Sequence, residues 1–325
     1  MPDLKQPKTY HALADPQARP RYTGVATFFR APFTQDLSDT DIGVIGVPFD
    51  GGVTNRTGAR HGPRAVRDQS TLLRRINAAT GIAPFAACRV RDLGDCWIEQ
   101  PYELVGALGE IEAFYHPVIA AGVTPLSVGG DHAISLPILR AVARDRPVGM
   151  IHIDAHCDTG DDYLGSRFHH GAPFRRAVEE GLLDPTRVIQ IGIRGTVNDP
   201  DHWGFSQRSG MRVLTMEEFD DQGWRFASQE ARRVVGSGPV YLTFDIDSLD
   251  PSEAPGTGTP EAGGLRALEA IRLLRSLRGL DFVGGDLVEV APPFDTGTLT
   301  AFNGASILFE ILCLLAEART GRPAG

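Results

Sequence analysis

The chain has 325 residues, 42% of them hydrophobic and 22% charged, the balance of a soluble globular protein and not of a disordered or low-complexity chain. Its 32 Lys+Arg against 41 Asp+Glu leave a formal net charge of -9. That charge repels nucleic-acid phosphates and anionic lipid, and no basic patch in the sequence counters it, so neither partner is expected.

Short runs rich in Val and Ile alternate with longer stretches of helical period, the pattern of βα units around a parallel sheet. In chain order the pattern predicts a strand from Ile42 to Val47 and a helix from Pro63 to Arg75. Pro63 opens that helix at a position where a missing N–H costs nothing. A helix from Tyr102 to Ala121, a strand from Pro125 to Val128 and a helix from Ile134 to Ala143 follow, then a strand from Val148 to Ile153 and a helix from Phe174 to Glu180. Beyond them come strands Val188 to Ile193, Val240 to Phe244 and Phe282 to Val288, with helices Phe226 to Val235, Leu265 to Leu277 and Ala301 to Ala318. The last helix reads ASILFEILCLLAEA; its Glu310 and Glu317 and its length argue for a core helix and against a membrane span. One domain over 1–325 is expected, with 1–40 as a partly extended N-terminal arm. The first thirty residues lack the apolar core of a signal peptide, and the four cysteines are widely spaced, so a cytoplasmic protein with reduced thiols is expected.

Four polar clusters stand directly after four of the strands: Gly129-Gly130-Asp131-His132, Asp154-Ala155-His156-Cys157-Asp158, Asp245-Ile246-Asp247, and Glu289. In a parallel sheet the carboxyl ends of strands face one crevice, so these clusters should converge. Side chains of extended backbone alternate faces. Asp154, His156 and Asp158 therefore share a side, as do Asp245 and Asp247, while Cys157 and Ile246 point away. Taken singly, an Asp at a strand end is a cap and a lone His is a surface or core residue. Together, four aspartates facing one another need four positive charges, which two divalent cations supply. Carboxylate and imidazole without thiolate suit Mn(2+), with Ni(2+), Co(2+) or Zn(2+) as alternatives.

GGDHAISLP, HIDAHCDT and DIDSLDP resemble the three signatures of the arginase and agmatinase superfamily, and GARHGPRAVR, APGTGTPEAGGL and DLVEVAPPFD extend the likeness over most of the chain. The resemblance implies a three-layer α/β/α fold with a central, mostly parallel sheet, a homo-oligomer (trimer or hexamer), and two Mn(2+) per subunit. It puts His132, Asp154, Asp158 and Asp245 on one metal and Asp154, His156, Asp245 and Asp247 on the other. The implied reaction hydrolyses a guanidino group to urea and an amine, with water activated by the metal pair. Asp158 would orient that nucleophile, Glu289 would hold the guanidinium, and His170 would protonate the leaving amine. His169 competes for that last role.

The segment GDDYLGSRFHH lacks the Ser/Thr/Asn-rich pattern with which arginases hold an amino-acid head, which disfavours an arginase, while RYTGVATFFRAPF, GVPFDGGVTNRTGARHGP and FRRAVEEGLLDP resemble the agmatinase-like branch and most of all guanidinopropionase and guanidinobutyrase. Asn55, Arg56, Tyr163, Arg167 and His169 are candidates to receive a carboxylate tail, whereas Asp161 and Asp162 would suit an amine tail such as that of agmatine. A formiminoglutamase, a nickel-dependent guanidine or biguanide hydrolase, and a non-catalytic metal-binding subunit are the remaining alternatives.

Overall fold

The computed structural model describes residues 20–321. The first 19 residues of the expected N-terminal arm lie outside them. Among the described residues eight strands form one all-parallel sheet: β1 (Ile42–Val47), β2 (Val90–Asp95), β3 (Thr124–Gly129), β4 (Val148–Ile153), β5 (Leu183–Ile193), β6 (Arg212–Thr215), β7 (Pro239–Asp245) and β8 (Asp281–Val288). The helices between and after them are α1 (Gly62–Ser70), α2 (Pro84–Ala87), α3 (Leu104–Ala120), α4 (Ser135–Val142), α5 (Pro173–Glu179), α6 (Gly204–Ser209), α7 (Met216–Val235), α8 (Ala267–Ser276) and α9 (Leu299–Gly321).

The sheet order is β2-β1-β3-β8-β7-β4-β5-β6. Strands β1, β4 and β7 are buried along their whole length, which is why inner strands of this kind read as continuous apolar runs. The helices form two layers. On one face Val66 of α1, Phe219 and Ala231 of α7, Leu273 of α8 and most of α9 pack together. On the other, Leu108 and Tyr115 of α3, Ile138 of α4 and Phe174 of α5 do so.

The strands predicted at 42–47 and 148–153 have those bounds, and the other four predicted strands are longer by one or more residues. Two strands escaped the pattern. β2 reads VRDLGD and β6 is four residues long; both are edge strands, half covered and so without the continuous apolar run of a central strand. α1 ends at Ser70 and not at Arg75: the Ser70 and Thr71 hydroxyls donate to the carbonyls of Arg67 and Asp68 and terminate it. α7 begins ten residues before the predicted Phe226, because Thr215 caps it through the N–H of Glu218 and the backbone breaks at Gly223, φ 79°. α9, apolar enough by length and composition to cross a membrane, is largely buried inside the fold. Its Glu310 accepts from Arg275 and from Asn77.

The strand order has one consequence for chemistry. The four strands that carry the polar clusters, β3, β8, β7 and β4, are neighbours in the centre of the sheet. One row crosses them: Val128 beside Leu287, Leu287 beside Phe244, and Phe244 beside Ile153. The residues just past that row are the clustered Asp, His and Glu.

Candidate active site

His132 follows β3 in a short turn that Asp131 caps by accepting from Ala133 N–H. Gly130 has to be glycine here, since a Cβ would meet the Phe49 carbonyl oxygen at 1.8 Å. The fully buried His132 ring has its Nε2 against the Thr243 hydroxyl at 2.8 Å. Its Nδ1 has no hydrogen-bond partner and lies 3.1 Å from Asp154 Oδ2, 2.9 Å from Asp158 Oδ2 and 3.2 Å from Asp245 Oδ2. A second set stands beside it. His156 Nδ1 is 3.1 Å from Asp247 Oδ2 and 3.5 Å from Asp154 Oδ1.

These spacings fit metal. Donors at about 2.0–2.2 Å from one ion, on adjacent vertices of its coordination shell, are about 3 Å from each other. Asp154 gives Oδ2 to the first set and Oδ1 to the second, the arrangement of a bridging carboxylate. Asp245 meets the first set through Oδ2, while its Oδ1 accepts at 2.8 Å from the N–H of Asp247, a member of the second. Burial, and then the neighbouring Asp247 and Asp154 carboxylates, push Asp245 well above the carboxylate range. Such a site calls for added positive charge. Burial opposes charge on His132 as well, but the carboxylates of Asp154, Asp158 and Asp245 outweigh it and raise the imidazole.

Glu289, directly after β8, is 1% exposed. Its Oε1 accepts from His132 N–H and from His170 Nδ1, both at 2.9 Å, while its buried Oε2 has no partner. Asp158 and Glu289 both take left-handed backbone, φ 51° and 64°. Such conformations cost a non-glycine residue about 1–2 kcal/mol and gather at functional sites. Burial would lower the His170 pKa, but Glu289 beside it overrides this and brings it up to about 9. The other face of the ring meets Thr54, whose N–H and hydroxyl lie 3.2 and 2.9 Å from Nε2.

A cavity of about 360 Å³ opens above these groups, lined among others by Thr54, His156, Asp158, Tyr163, His169, His170, His202 and Asp245. It excludes Asn55, Arg56 and Arg167. Asn55 is exposed elsewhere on its loop. The Arg56 guanidinium donates to the carbonyls of Gly258 and Thr257 and lies over the Phe294 ring, so it fastens two loops together. Arg167 pairs with Glu179 at 2.7 Å. His169 lines the cavity too, but its Nε2 is turned to the Asp161 carbonyl at 3.1 Å, and burial holds its pKa down. The two loop acids are both engaged. Asp161 faces Arg175 and Arg176, each at 2.9 Å, with Arg167 at 4.0 Å, and Asp162 accepts from Gly165 N–H.

A family model described as Arginase family matches residues 40–314, most of the chain. The chain belongs to the arginase family. It is 56% identical over 300 residues to a guanidinopropionase of Pseudomonas aeruginosa, covering 92% of this chain and 94% of that protein. To a guanidinobutyrase of the same organism it is 45% identical, covering 95% of this chain and 98% of the relative. Among solved structures, the proclavaminate amidino hydrolase of Streptomyces clavuligerus superposes with a TM-score of 0.89 at 39% identity, over 92% of this chain and 99% of that one. Arginase-family enzymes are binuclear metal-dependent hydrolases of C–N bonds, and the two His/Asp groups here supply the donors such a centre needs.

Sequence reading overlooked His152, although it lies in the HIDAHCDT motif. It sits inside β4 with Nε2 2.7 Å from Asp154 Oδ2. By distance alone His152 joins the first group of donors. Its hydrogen bonds assign it differently. Gln190 Nε2 donates to the Cys157 carbonyl at 2.6 Å and to His152 Nδ1 at 3.1 Å. The His152 proton is therefore on Nε2 and is given to Asp154, so the ring orients a carboxylate and offers no lone pair to an ion. Cys157 itself is buried, and burial pushes its thiol above the normal range.

Proposed function

We propose that this arginase-family chain is a binuclear manganese amidinohydrolase that cleaves the guanidino group of a small linear guanidino acid, 3-guanidinopropionate or 4-guanidinobutyrate, to urea and the corresponding amino acid. The observation that carries the reading is the buried Oε2 of Glu289, left without a partner while Oε1 accepts from His132 and His170. A buried carboxylate oxygen without a partner costs more than 1 kcal/mol unless something donates to it, and a planar guanidinium donates paired N–H groups of matching geometry.

His132, Asp154, Asp158 and Asp245 would hold one Mn(2+), and Asp154, His156, Asp247 and Asp245 the second. When bound, the pair supplies Lewis acidity and a strong nucleophile from water at neutral pH. Glu289 Oε2 holds the guanidinium carbon over the cluster, and this positioning replaces a bimolecular encounter. Asp158, whose Oδ2 lies 2.9 Å from His132 Nδ1 and whose side chain borders the cavity, orients the attacking oxygen. His170 carries the proton that the departing amine needs. Its Nδ1–H is given to Glu289, and its Nε2, which accepts from Thr54 N–H and lies against the Thr54 hydroxyl, is on a ring that lines the cavity.

The preference for an acid tail rests on charge. At the mouth Asp161 is compensated by three arginines and Asp162 accepts from Gly165 N–H, and Tyr163 and His202 line the cavity beside them. A carboxylate tail finds donors in Tyr163 and His202, whereas an ammonium tail would compete with Arg167, Arg175 and Arg176 for Asp161. Further support comes from the guanidinopropionase and guanidinobutyrase relatives. The test is urea release by manganese-loaded protein on 3-guanidinopropionate, 4-guanidinobutyrate, agmatine, arginine and guanidine, repeated with nickel. Turnover of either acid at least tenfold above agmatine is expected, and the reverse order would overturn the acid-tail reading.

We also infer a homo-oligomer, a trimer or hexamer, working in the cytoplasm. Exposed Trp97, Tyr102 and Val105 beside the end of β2 support the former, and four free, buried cysteines the latter. Sedimentation velocity and fractionation of the producing cell check each.

A further inference from the structure

Arg194 is 7% exposed and, among the described residues, has no ion-pair partner. Its guanidinium is satisfied by main-chain carbonyls alone. Nη2 donates to Asp247 O and to Glu261 O, both at 2.7 Å; Nη1 donates to Gly192 O at 3.2 Å and Ser248 O at 3.3 Å, and Nε to Ala262 O at 3.2 Å. The Arg194 backbone N–H donates to Ala155 O at 2.9 Å. One residue thereby ties the segments bearing His156, Asp247 and Glu261.

Those three segments meet at the His156 ring. Its Nδ1 faces Asp247 Oδ2 at 3.1 Å, and its opposite nitrogen, Nε2, faces Glu261 Oε1 at 3.9 Å. The Glu261 carboxylate lies in space that a side chain at position 195 would fill: a Cβ there would stand 2.5 Å from Glu261 Cδ, and Gly195 has φ +88°. Gly264 is excluded from carrying a Cβ in the same manner, at 2.5 Å from Arg194 Nη2. Histidines that bind a metal through one nitrogen commonly give the other N–H to a carboxylate, which fixes the tautomer and raises the basicity of the ligating nitrogen. At 3.9 Å the contact is an ion-pair distance, a little longer than a hydrogen bond.

We infer that Glu261 is the outer carboxylate of His156, held in place by Arg194, and that this pair sets the affinity of the His156 half of the metal centre without touching metal or substrate. The inference rests on the proposed binuclear reading. Both are positioning residues, and the test therefore reads metal binding and not turnover. Full-length protein is stripped with chelator and titrated with Mn(II), following heat and bound metal per subunit, with the spin-coupled Mn(II) signal of the bridged pair read by electron paramagnetic resonance.

The unsubstituted protein is expected to bind two ions per subunit. In Glu261→Ala one of the two affinities should fall about ten- to hundredfold, and the coupled signal should give way to that of a single ion. Glu261→Gln, whose amide oxygen still accepts from Nε2–H, should recover most of the loss, a rescue that a purely structural role would not require. Arg194→Lys should reproduce the Glu261→Ala pattern; should it fail to fold, the Glu261 variants at this partly exposed position carry the test alone. Two unchanged affinities in Glu261→Ala overturn the inference and leave the metal centre standing. Fewer than two ions on the unsubstituted protein overturn the binuclear reading and this inference with it.

Discussion

Replacing Glu289 by Gln preserves shape and removes charge. Oε1 keeps its role as acceptor for His132 N–H and His170 Nδ1 if the amide oxygen takes that side, which two donors at 2.9 Å enforce. The other arm then becomes an NH2 group pointing where Oε2 now lies buried and free. A guanidinium arriving there meets a donor in place of an acceptor. The loss is one charge-assisted hydrogen bond, about 1.5–3 kcal/mol, plus the cost of leaving a substrate N–H unpaired in a buried site, about 1 kcal/mol or more. The sum, about 2.5–4 kcal/mol, corresponds to roughly 10²–10³ in kcat/KM. The assay is urea release under kcat/KM conditions with metal content measured on the same sample, since Glu289 lies outside the expected ligand set. Metal occupancy should stay intact while turnover falls. An active Glu289→Gln, within about threefold of the parent, would refute the guanidinium clamp.

The same substitution removes the largest of the charges that hold His170 up near 9 and leaves burial, which lowers it, opposed only by the more weakly acting Asp158 and Asp131; kcat/KM should then decline at a lower pH than in the parent, where the acid form is lost above about pH 9. Because the folded His170 pKa lies above the unfolded value near 6.5, its contribution to stability is complete below 6.5 and is lost as pH rises toward 9. Unfolding midpoints in chelator, where bound cations do not pull the other way, should fall across that window and flatten in His170→Asn. Asp154→Ala removes an oxygen from each donor set and should abolish binding of both ions, whereas His156→Ala should spare the His132 side, as bound metal per subunit will tell. Tyr163→Phe should raise KM for an acid-tailed substrate by about tenfold with little change in kcat, and an unchanged KM would remove Tyr163 from the tail site. Arg275→Ala leaves Glu310 buried with Asn77 alone. It should cost about 3 kcal/mol in denaturant unfolding, at the low end for a broken buried pair because Arg275 is about a third exposed.

The donors of the candidate centre were legible because two simple periodicities coincide. A spacing of two on extended backbone puts Asp154, His156 and Asp158 on one side, and a parallel sheet brings strand ends together. Elements with both faces covered were legible for a similar reason, since burial writes an apolar run. The edge strands β2 and β6 are covered on one side only and write none. Tail-binding candidates fared differently because a loop's course depends on partners far away: Arg56 is drawn off by carbonyls some two hundred residues along the chain, and Arg167 by Glu179. His152 and Arg194 were hidden for another reason. One sits within a strand that already reads as core, and the other is satisfied wholly by backbone, which has no sequence signature.

The order of the strands also bears on how the chain is made. Residues up to β6 can form two separate three-stranded pieces, β2-β1-β3 and β4-β5-β6, whose inner edges, β3 and β4, are left open. Only β7 and β8, the last strands to leave the ribosome, fill the gap and join them. Until residue 288 is available, two buried-type strands expose unpaired N–H and C=O groups along with the acids and histidines at their ends. Nascent or truncated chains that stop short of β8 should therefore be prone to sheet-edge aggregation, and the last third of the sequence acts as the clasp of the whole sheet.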